Sequence, residues 1–146
     1  MTKLLLDFYN ALFNPNKIFN SSKNSFFIPI LIFLLFMLSP VFLYNPVFRL
    51  IGHFDALKIK LLLFILFFSY LSAGIRVLFV FNNEIYYYPY LSSISPLILG
   101  ILGKNLLYFA VVWSICLKIY IDLKSKNYFS LIVGLIFDVF LVFWLI

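Results

Sequence analysis

Long runs without a charged residue constrain the fold of this sequence more than any other feature. The first, Phe26–Tyr44, has 19 residues and no charged side chain. An α-helix needs about 20 apolar residues to cross a bilayer, so this run predicts a membrane span. Four more predicted spans follow, at Leu61–Phe81, Tyr86–Gly103, Asn105–Ile121 and Phe129–Ile146. We therefore predict an all-α fold, with a polytopic bundle of about five transmembrane helices over residues 26–146.

The composition supports a membrane protein and argues against nucleic-acid binding. Hydrophobic residues make up 65% of the chain and charged residues 11%, and a soluble protein of 146 residues cannot bury that much apolar surface. The net charge of +6 comes from basic residues scattered singly between apolar runs. They form no basic face for phosphates, so we interpret them as topology signals and anionic-lipid contacts.

Residues 1–25 are predicted to form cytoplasmic or interfacial amphipathic helices. Polar residues recur at helical spacing in residues 2–13, with leucine and phenylalanine mainly on the other side. This pattern fits a helix lying on the membrane surface, and equally a helix packed on the bundle. Asn14 and Pro15 then predict an N-cap and the first position of a second short helix.

Two prolines predict bends inside the spans. Pro40 lies near the end of the first span and should kink or end that helix, whereas Pro96 should break or bend the third span. The hydroxyls of Ser92, Ser93 and Ser95 can donate to the backbone carbonyls that Pro96 frees. The segment Tyr86–Gly103 is therefore predicted to be a bent central helix.

Small residues predict close helix contacts in the second and fifth spans. Ser69 and Ala73 form a small-xxx-small pair, which is useful for helix packing in lipid. Gly134 lies one turn before Asp138 on the same face of the fifth span and would let another helix approach closely.

Asp138 is the most unusual charged residue in the sequence. It lies nine residues into the fifth span, about 13.5 Å deep at 1.5 Å per residue. An ionised carboxylate at that depth costs on the order of 3 kcal/mol or more, so Asp138 should be paired or protonated. Arg76 and Lys118 lie toward the same side, although Arg76 alone could also extend to the headgroups. We predict an intramembrane polar cluster, structural or part of a pathway, made of Asp138, Arg76, Lys118, Ser92, Ser93 and Ser95.

The sequence offers few residues for catalysis. It has a single His53, a single Cys116, no glycine-rich phosphate loop and no zinc-binding histidine pair. We expect no catalytic, cofactor-binding or metal-binding residues, and we expect Cys116 to be buried as a small hydrophobic residue. The acidic residues outside the spans are expected to be solvated: Asp7, Asp55, Glu84 and Asp122.

The orientation follows from the distribution of basic residues. With a cytoplasmic N-terminus and five spans, the inner side receives seven Lys and Arg residues and the outer side four. The positive-inside rule therefore favours a cytoplasmic N-terminus and a C-terminus on the outside.

Three stretches resemble the Yip1-domain family of small membrane proteins. They are FNPNKIF (Phe13–Phe19), YLSSISPLILG (Tyr90–Gly100) and VVWSICLKIYIDLKSKNYFSLIVGLIF (Val111–Phe137). The resemblance is to the bacterial members, and it covers nearly the whole chain. It implies a five-helix bundle in a bacterial inner membrane, with a cytoplasmic N-terminus and no known catalytic residues.

Two functions are consistent with these features. The first is a non-enzymatic scaffold or accessory subunit of a larger membrane complex, whose partners are lipids, other membrane subunits or further copies of the chain. The alternative is a transporter or lipid-handling component that uses Asp138 and the Pro96 helix. Discontinuous helices and intramembrane acids are typical of such pathways.

Overall fold

Every regular element in the described part of the chain is a helix. The computed structural model describes residues 2–21, 23, 56–79, 86–101 and 104–145. Its α-helices and 3₁₀ helices are α1 (Thr2–Phe13), the N-terminal 3₁₀ helix (Pro15–Asn20), α2 (Ala56–Phe79), α3 (Tyr87–Ser92), the central 3₁₀ helix (Ser95–Ile101), α4 (Lys104–Lys124) and α5 (Tyr128–Leu145). The all-α prediction is confirmed over these ranges. The predicted span Phe26–Tyr44 and its Pro40 lie outside them.

The central segment is a broken helix. It ends as an α-helix at Ser92 and continues as the central 3₁₀ helix from Ser95. Pro96 has no N–H for the carbonyl of Ser92 four residues earlier, and the Ser95 hydroxyl donates to that carbonyl at 2.6 Å. The Ser93 hydroxyl donates to the carbonyl of Tyr90, also at 2.6 Å. Two carbonyls at the break are thus satisfied by side chains.

The N-terminal segment runs beside this broken helix in the opposite direction. α1 packs against the central 3₁₀ helix, whereas the N-terminal 3₁₀ helix packs against α3. The indole N–H of Trp113 on α4 donates to the carbonyl of Ala11 at 2.8 Å, which fixes α1 to the bundle. Asn14 is the N-cap residue of the 3₁₀ helix and Pro15 begins it, as expected, but the Asn14 side chain forms no capping hydrogen bond.

The turn between α4 and α5 has a defined hydrogen-bond pattern. The N–H of Asn127 donates to the carbonyl of Asp122, and that of Lys126 to the carbonyl of Leu123. Lys126 has φ 55°, so this is a Schellman motif that ends α4. Asn127 then caps α5, because its side-chain oxygen accepts the N–H of Ser130 at 3.1 Å.

The described residues bury polar side chains together with an apolar core and expose many large apolar side chains. Large apolar side chains are exposed along one face of α5, among them Ile136 (65%) and Phe143 (81%). Cys116 on α4 is also exposed, so the expectation that it would be buried was wrong. The buried set includes seven serines and several ionisable side chains.

One helix in the described ranges, Asn105–Lys124, is long and apolar enough to cross a membrane. Two other apolar helices, Phe64–Phe79 and Tyr128–Phe143, are shorter.

Candidate functional site

Four ionisable side chains meet in the interior of the bundle. They are Arg76 from α2, Lys118 and Asp122 from α4, and Asp138 from α5, and each is at most 1% exposed. We call them the buried ion-pair cluster. The cluster combines two basic and two acidic side chains, so their formal charges balance within it.

Asp138 accepts three hydrogen bonds, one from each of three side chains. The Lys118 ammonium and the Ser72 hydroxyl donate to Oδ1, each at 2.8 Å. The Arg76 Nη2 donates to Oδ2 at 2.7 Å. Because these donors come from α2 and α4, the carboxylate connects α5 to both helices.

Arg76 bridges the two carboxylates of the cluster. Its Nε donates to Asp122 Oδ2 at 2.8 Å, while Nη2 binds Asp138. Its Nη1 donates to the hydroxyl of Ser72, one turn earlier on α2. The planar fork of a guanidinium suits this arrangement, because it presents several donors in fixed directions. The Arg76 side chain is fully buried within the bundle.

The Arg76 guanidinium of α2 packs directly against Gly134 on α5. A Cβ added at Gly134 would overlap Cζ, Nε and Nη2 of Arg76. The sequence predicted a close helix approach at this glycine, and the group that lies against it is a side chain of α2. Any larger residue here would force the guanidinium away from its carboxylates.

Asp122 brings the central segment into the cluster. Its Oδ1 accepts the hydroxyl of Tyr90 on α3 and that of Ser130 on α5, the latter at 2.9 Å. Tyr90 is fully buried. Asp122 was expected to be solvated in a turn, and this was wrong because α4 continues to Lys124 and carries Asp122 into the interior. Asp7 on α1 was also expected to be solvated and is buried instead.

Lys118 extends the polar network between α2 and α4. Besides Asp138, its ammonium donates to the Ser69 hydroxyl at 3.1 Å. Ser69 lies 3.5 Å from the Ser114 hydroxyl on α4. Ser69 and Ala73, the predicted small pair, are both buried on α2. The small residue at 69 therefore gives the lysine a hydroxyl acceptor as well as space.

The predicted polar cluster is only partly the one observed. Asp138, Arg76 and Lys118 come together, but Ser92, Ser93 and Ser95 form none of the hydrogen bonds of the cluster. Ser93 and Ser95 bond to carbonyls of their own segment. Among the described residues, Ser92 Oγ is the buried side-chain atom that has no hydrogen-bond partner.

Residues that the sequence reasoning missed share a simple pattern. Polar, charged or small residues recur every fourth position on one face of α4 (Ser114, Lys118, Asp122) and of α5 (Ser130, Gly134, Asp138). Residues at this spacing lie on one face of a helix. Two such stripes in otherwise apolar helices predict a shared polar interior, and they would have identified Asp122 and Ser130.

The described residues contain no candidate metal-binding site. No three His, Cys, Asp or Glu side chains come together in them as metal ligands would. His53, Asp55 and Glu84 lie outside the described ranges. The arrangement at the cluster is one of mutual neutralisation: hydrogen-bonded charges that hold helices at fixed positions.

No family model, curated protein or solved structure matches this chain. The resemblance to the Yip1-domain family stays a prediction.

Proposed function

We propose that this chain is a non-enzymatic integral membrane protein that acts as a scaffold or accessory subunit of a membrane complex. The observation that carries the proposal is the charge balance of the buried ion-pair cluster. Arg76 and Lys118 donate hydrogen bonds to Asp122, Asp138 and nearby hydroxyls. A cluster closed in this way holds helices together and leaves no carboxylate oxygen directed at a substrate.

The burial of paired charges and the exposure of apolar side chains support the membrane part of this proposal. Charged side chains are almost never fully buried unless paired, and contiguous exposed apolar faces are rare in soluble monomers. Here the four charges of the buried ion-pair cluster are inside, and exposed apolar side chains line α4 and α5. Polar residues facing the interior and apolar residues facing lipid are the expected arrangement in a bilayer. We propose five spans, with Phe26–Tyr44 as the first, a cytoplasmic N-terminus and a bacterial inner-membrane location.

The exposed stripe of α5 is the surface we assign to partner helices. It carries Ile132, Ile136, Val139 and Phe143, whose spacing places them on one face. With short connections between α3, α4 and α5, little polar surface is available to a soluble partner. The partner is therefore another membrane subunit or a second copy.

Co-purification tests the proposal. Tagged protein extracted in a mild detergent is expected to retain a stoichiometric membrane partner or a second copy. Ile136→Asn should release that partner, because it places an amide in the apolar contact, while Leu78→Asn on the exposed face of α2 serves as the matched control. Recovery of a lone monomer at all detergent concentrations would contradict the scaffold role.

A transporter or lipid-handling role is the second candidate, favoured by one observation. The proline-broken central helix packs against a second proline-interrupted segment that runs in the opposite direction. Paired discontinuous helices are typical of substrate sites in transporters. Flux into proteoliposomes that is lost in Asp138→Asn would favour this function over the scaffold.

A further inference from the structure

The exposed charge at one end of the bundle is basic. Asp7, Asp122 and Asp138 are buried, whereas Lys17, Lys124 and Lys126 are exposed. The carboxylates of Asp122 and Asp138 are bonded to Arg76 and Lys118 in the interior. Glu84, which the sequence places between α2 and α3, lies outside the described ranges. Three cationic side chains thus face outward beside two acids that are already paired.

Side-chain contacts place the N-terminal 3₁₀ helix, which contains Lys17, beside Lys124. The Lys124 ammonium lies 4.1 Å from the centre of the Phe19 ring and 5.8 Å from that of Tyr120. The hydroxyl of Tyr120 donates to the side-chain oxygen of Asn16, the neighbour of Lys17. The N-terminal 3₁₀ helix is therefore fixed beside the C-terminal end of α4, where the turn with Lys126 follows.

The backbone at Lys126 is unfavourable for a lysine. Its φ of 55° is in the left-handed region, and the position that it occupies in the Schellman motif is the one where glycine is preferred. A side chain with Cβ is strained there, and such strain is concentrated at functional positions. Because a lysine at this position does not stabilise the fold, its positive charge is expected to serve another purpose.

We propose that Lys17, Lys124 and Lys126 bind the phosphate of an anionic phospholipid headgroup. This inference rests on the proposed membrane location and adds a specific lipid partner to it. Apolar and aromatic side chains next to the lysines are exposed, namely Leu123, Tyr128 and Phe129. They would contact the acyl chains and the interface, where tyrosine is enriched. Clustered lysines beside a span are the expected recognition element for anionic lipid of the cytoplasmic leaflet.

Thermal unfolding in a neutral detergent tests the proposal. Short-chain phosphatidylglycerol should raise the Tm by several degrees, because a ligand that binds only the folded state stabilises it. Phosphatidylcholine with the same chains and inorganic phosphate at the same concentration should leave the Tm unchanged. An equal shift with phosphatidylcholine would show a general lipid effect, and an equal shift with phosphate would show a free-anion site. Either result would overturn the proposal.

Lys126→Gly separates lipid binding from stability. Without lipid its Tm should rise, since glycine accepts the left-handed backbone, while its phosphatidylglycerol shift should fall by at least half. Lys3→Gln, which removes an exposed lysine from α1, should keep the full shift. A full shift in Lys126→Gly, or an equal loss in Lys3→Gln, would overturn the site. Failure of the membrane proposal would appear differently, as a protein that stays monodisperse without detergent.

Discussion

Arg76 is the residue on which the buried ion-pair cluster depends most. It donates hydrogen bonds to both carboxylates, and it also donates to the Ser72 hydroxyl, which in turn donates to Asp138. Lys118, by contrast, contacts one carboxylate. The loss in the free energy of unfolding caused by each substitution should therefore depend on how many buried groups it leaves without a partner.

Arg76→Met should lower the free energy of unfolding by about 3–5 kcal/mol, because it leaves a buried carboxylate uncompensated. Arg76→Lys keeps the charge but loses the fork that reaches both acids, so a smaller loss of about 1–2 kcal/mol is expected. Circular dichroism during titration of a denaturing detergent into mild-detergent micelles measures both values. Equal losses in the two variants would show that geometry contributes nothing beyond charge.

Gly134 provides a second test at a single residue. Gly134→Ala should destabilise the protein by about 1–3 kcal/mol, because the added methyl overlaps the guanidinium and overpacking costs that much in a close-packed interior. Gly74 on α2 is the matched control, since a Cβ there meets no atom within 4 Å. Gly74→Ala should be neutral or stabilising by up to about 1 kcal/mol, as alanine favours a helix. The same denaturation assay measures both, and a neutral Gly134→Ala would contradict the placement of Arg76.

At the scale of elements, the junction of α4 and α5 also holds α2. Asn127 accepts the N–H of Ser130 to cap α5, and its side-chain amide donates to the carbonyl of Phe79 at 3.1 Å. One side chain thus satisfies the ends of two helices. This explains why an asparagine follows the left-handed Lys126.

Two substitutions divide these roles. Asn127→Ala removes both bonds and should cost about 1–2 kcal/mol of unfolding free energy, the upper range for loss of an N-cap. Asn127→Asp keeps the cap acceptor and loses only the donor to Phe79, so it should cost less. Unfolding monitored by tryptophan fluorescence gives the comparison. If the aspartate variant were as unstable as the alanine variant, the cap would contribute nothing.

Much of the element order could be predicted from the sequence, for physical reasons. The apolar runs mark α2, α4 and α5 because burial in lipid or protein requires them, and Pro96 marks the break because it lacks an N–H. The end of α4 could not be placed this way. Asp122 lies two residues before Lys124, a local pattern that is typical of a solvated turn. Its carboxylate is nevertheless paired with Arg76, which is distant in the sequence. Such compensation depends on tertiary contacts that local pattern does not encode.

At the scale of the whole molecule, an exposed cysteine distinguishes lipid from water around the bundle. Cys116 is exposed on α4, about 12 Å before the end of that helix at Lys124. In membranes it should react poorly with a charged maleimide, because the reactive thiolate does not form in lipid. Lys124→Cys, at the end of the helix, should react from the cytoplasmic side. Mass spectrometry of labelled spheroplasts and inverted vesicles measures the extent of labelling at both positions. Rapid labelling of Cys116 would contradict a lipid-facing α4.

The central claim is that paired charges in the interior hold α2, α4 and α5 together. A double-mutant cycle on Lys118 and Asp138 tests it most directly, because each single variant leaves unequal charge whereas the double variant leaves Arg76 paired with Asp122. We predict that Lys118→Met and Asp138→Leu each lower the free energy of unfolding by about 3–5 kcal/mol. The double variant should be less destabilised than their sum by at least about 2 kcal/mol. Additive effects within about 0.5 kcal/mol, the range for residues that do not interact, would contradict the claim.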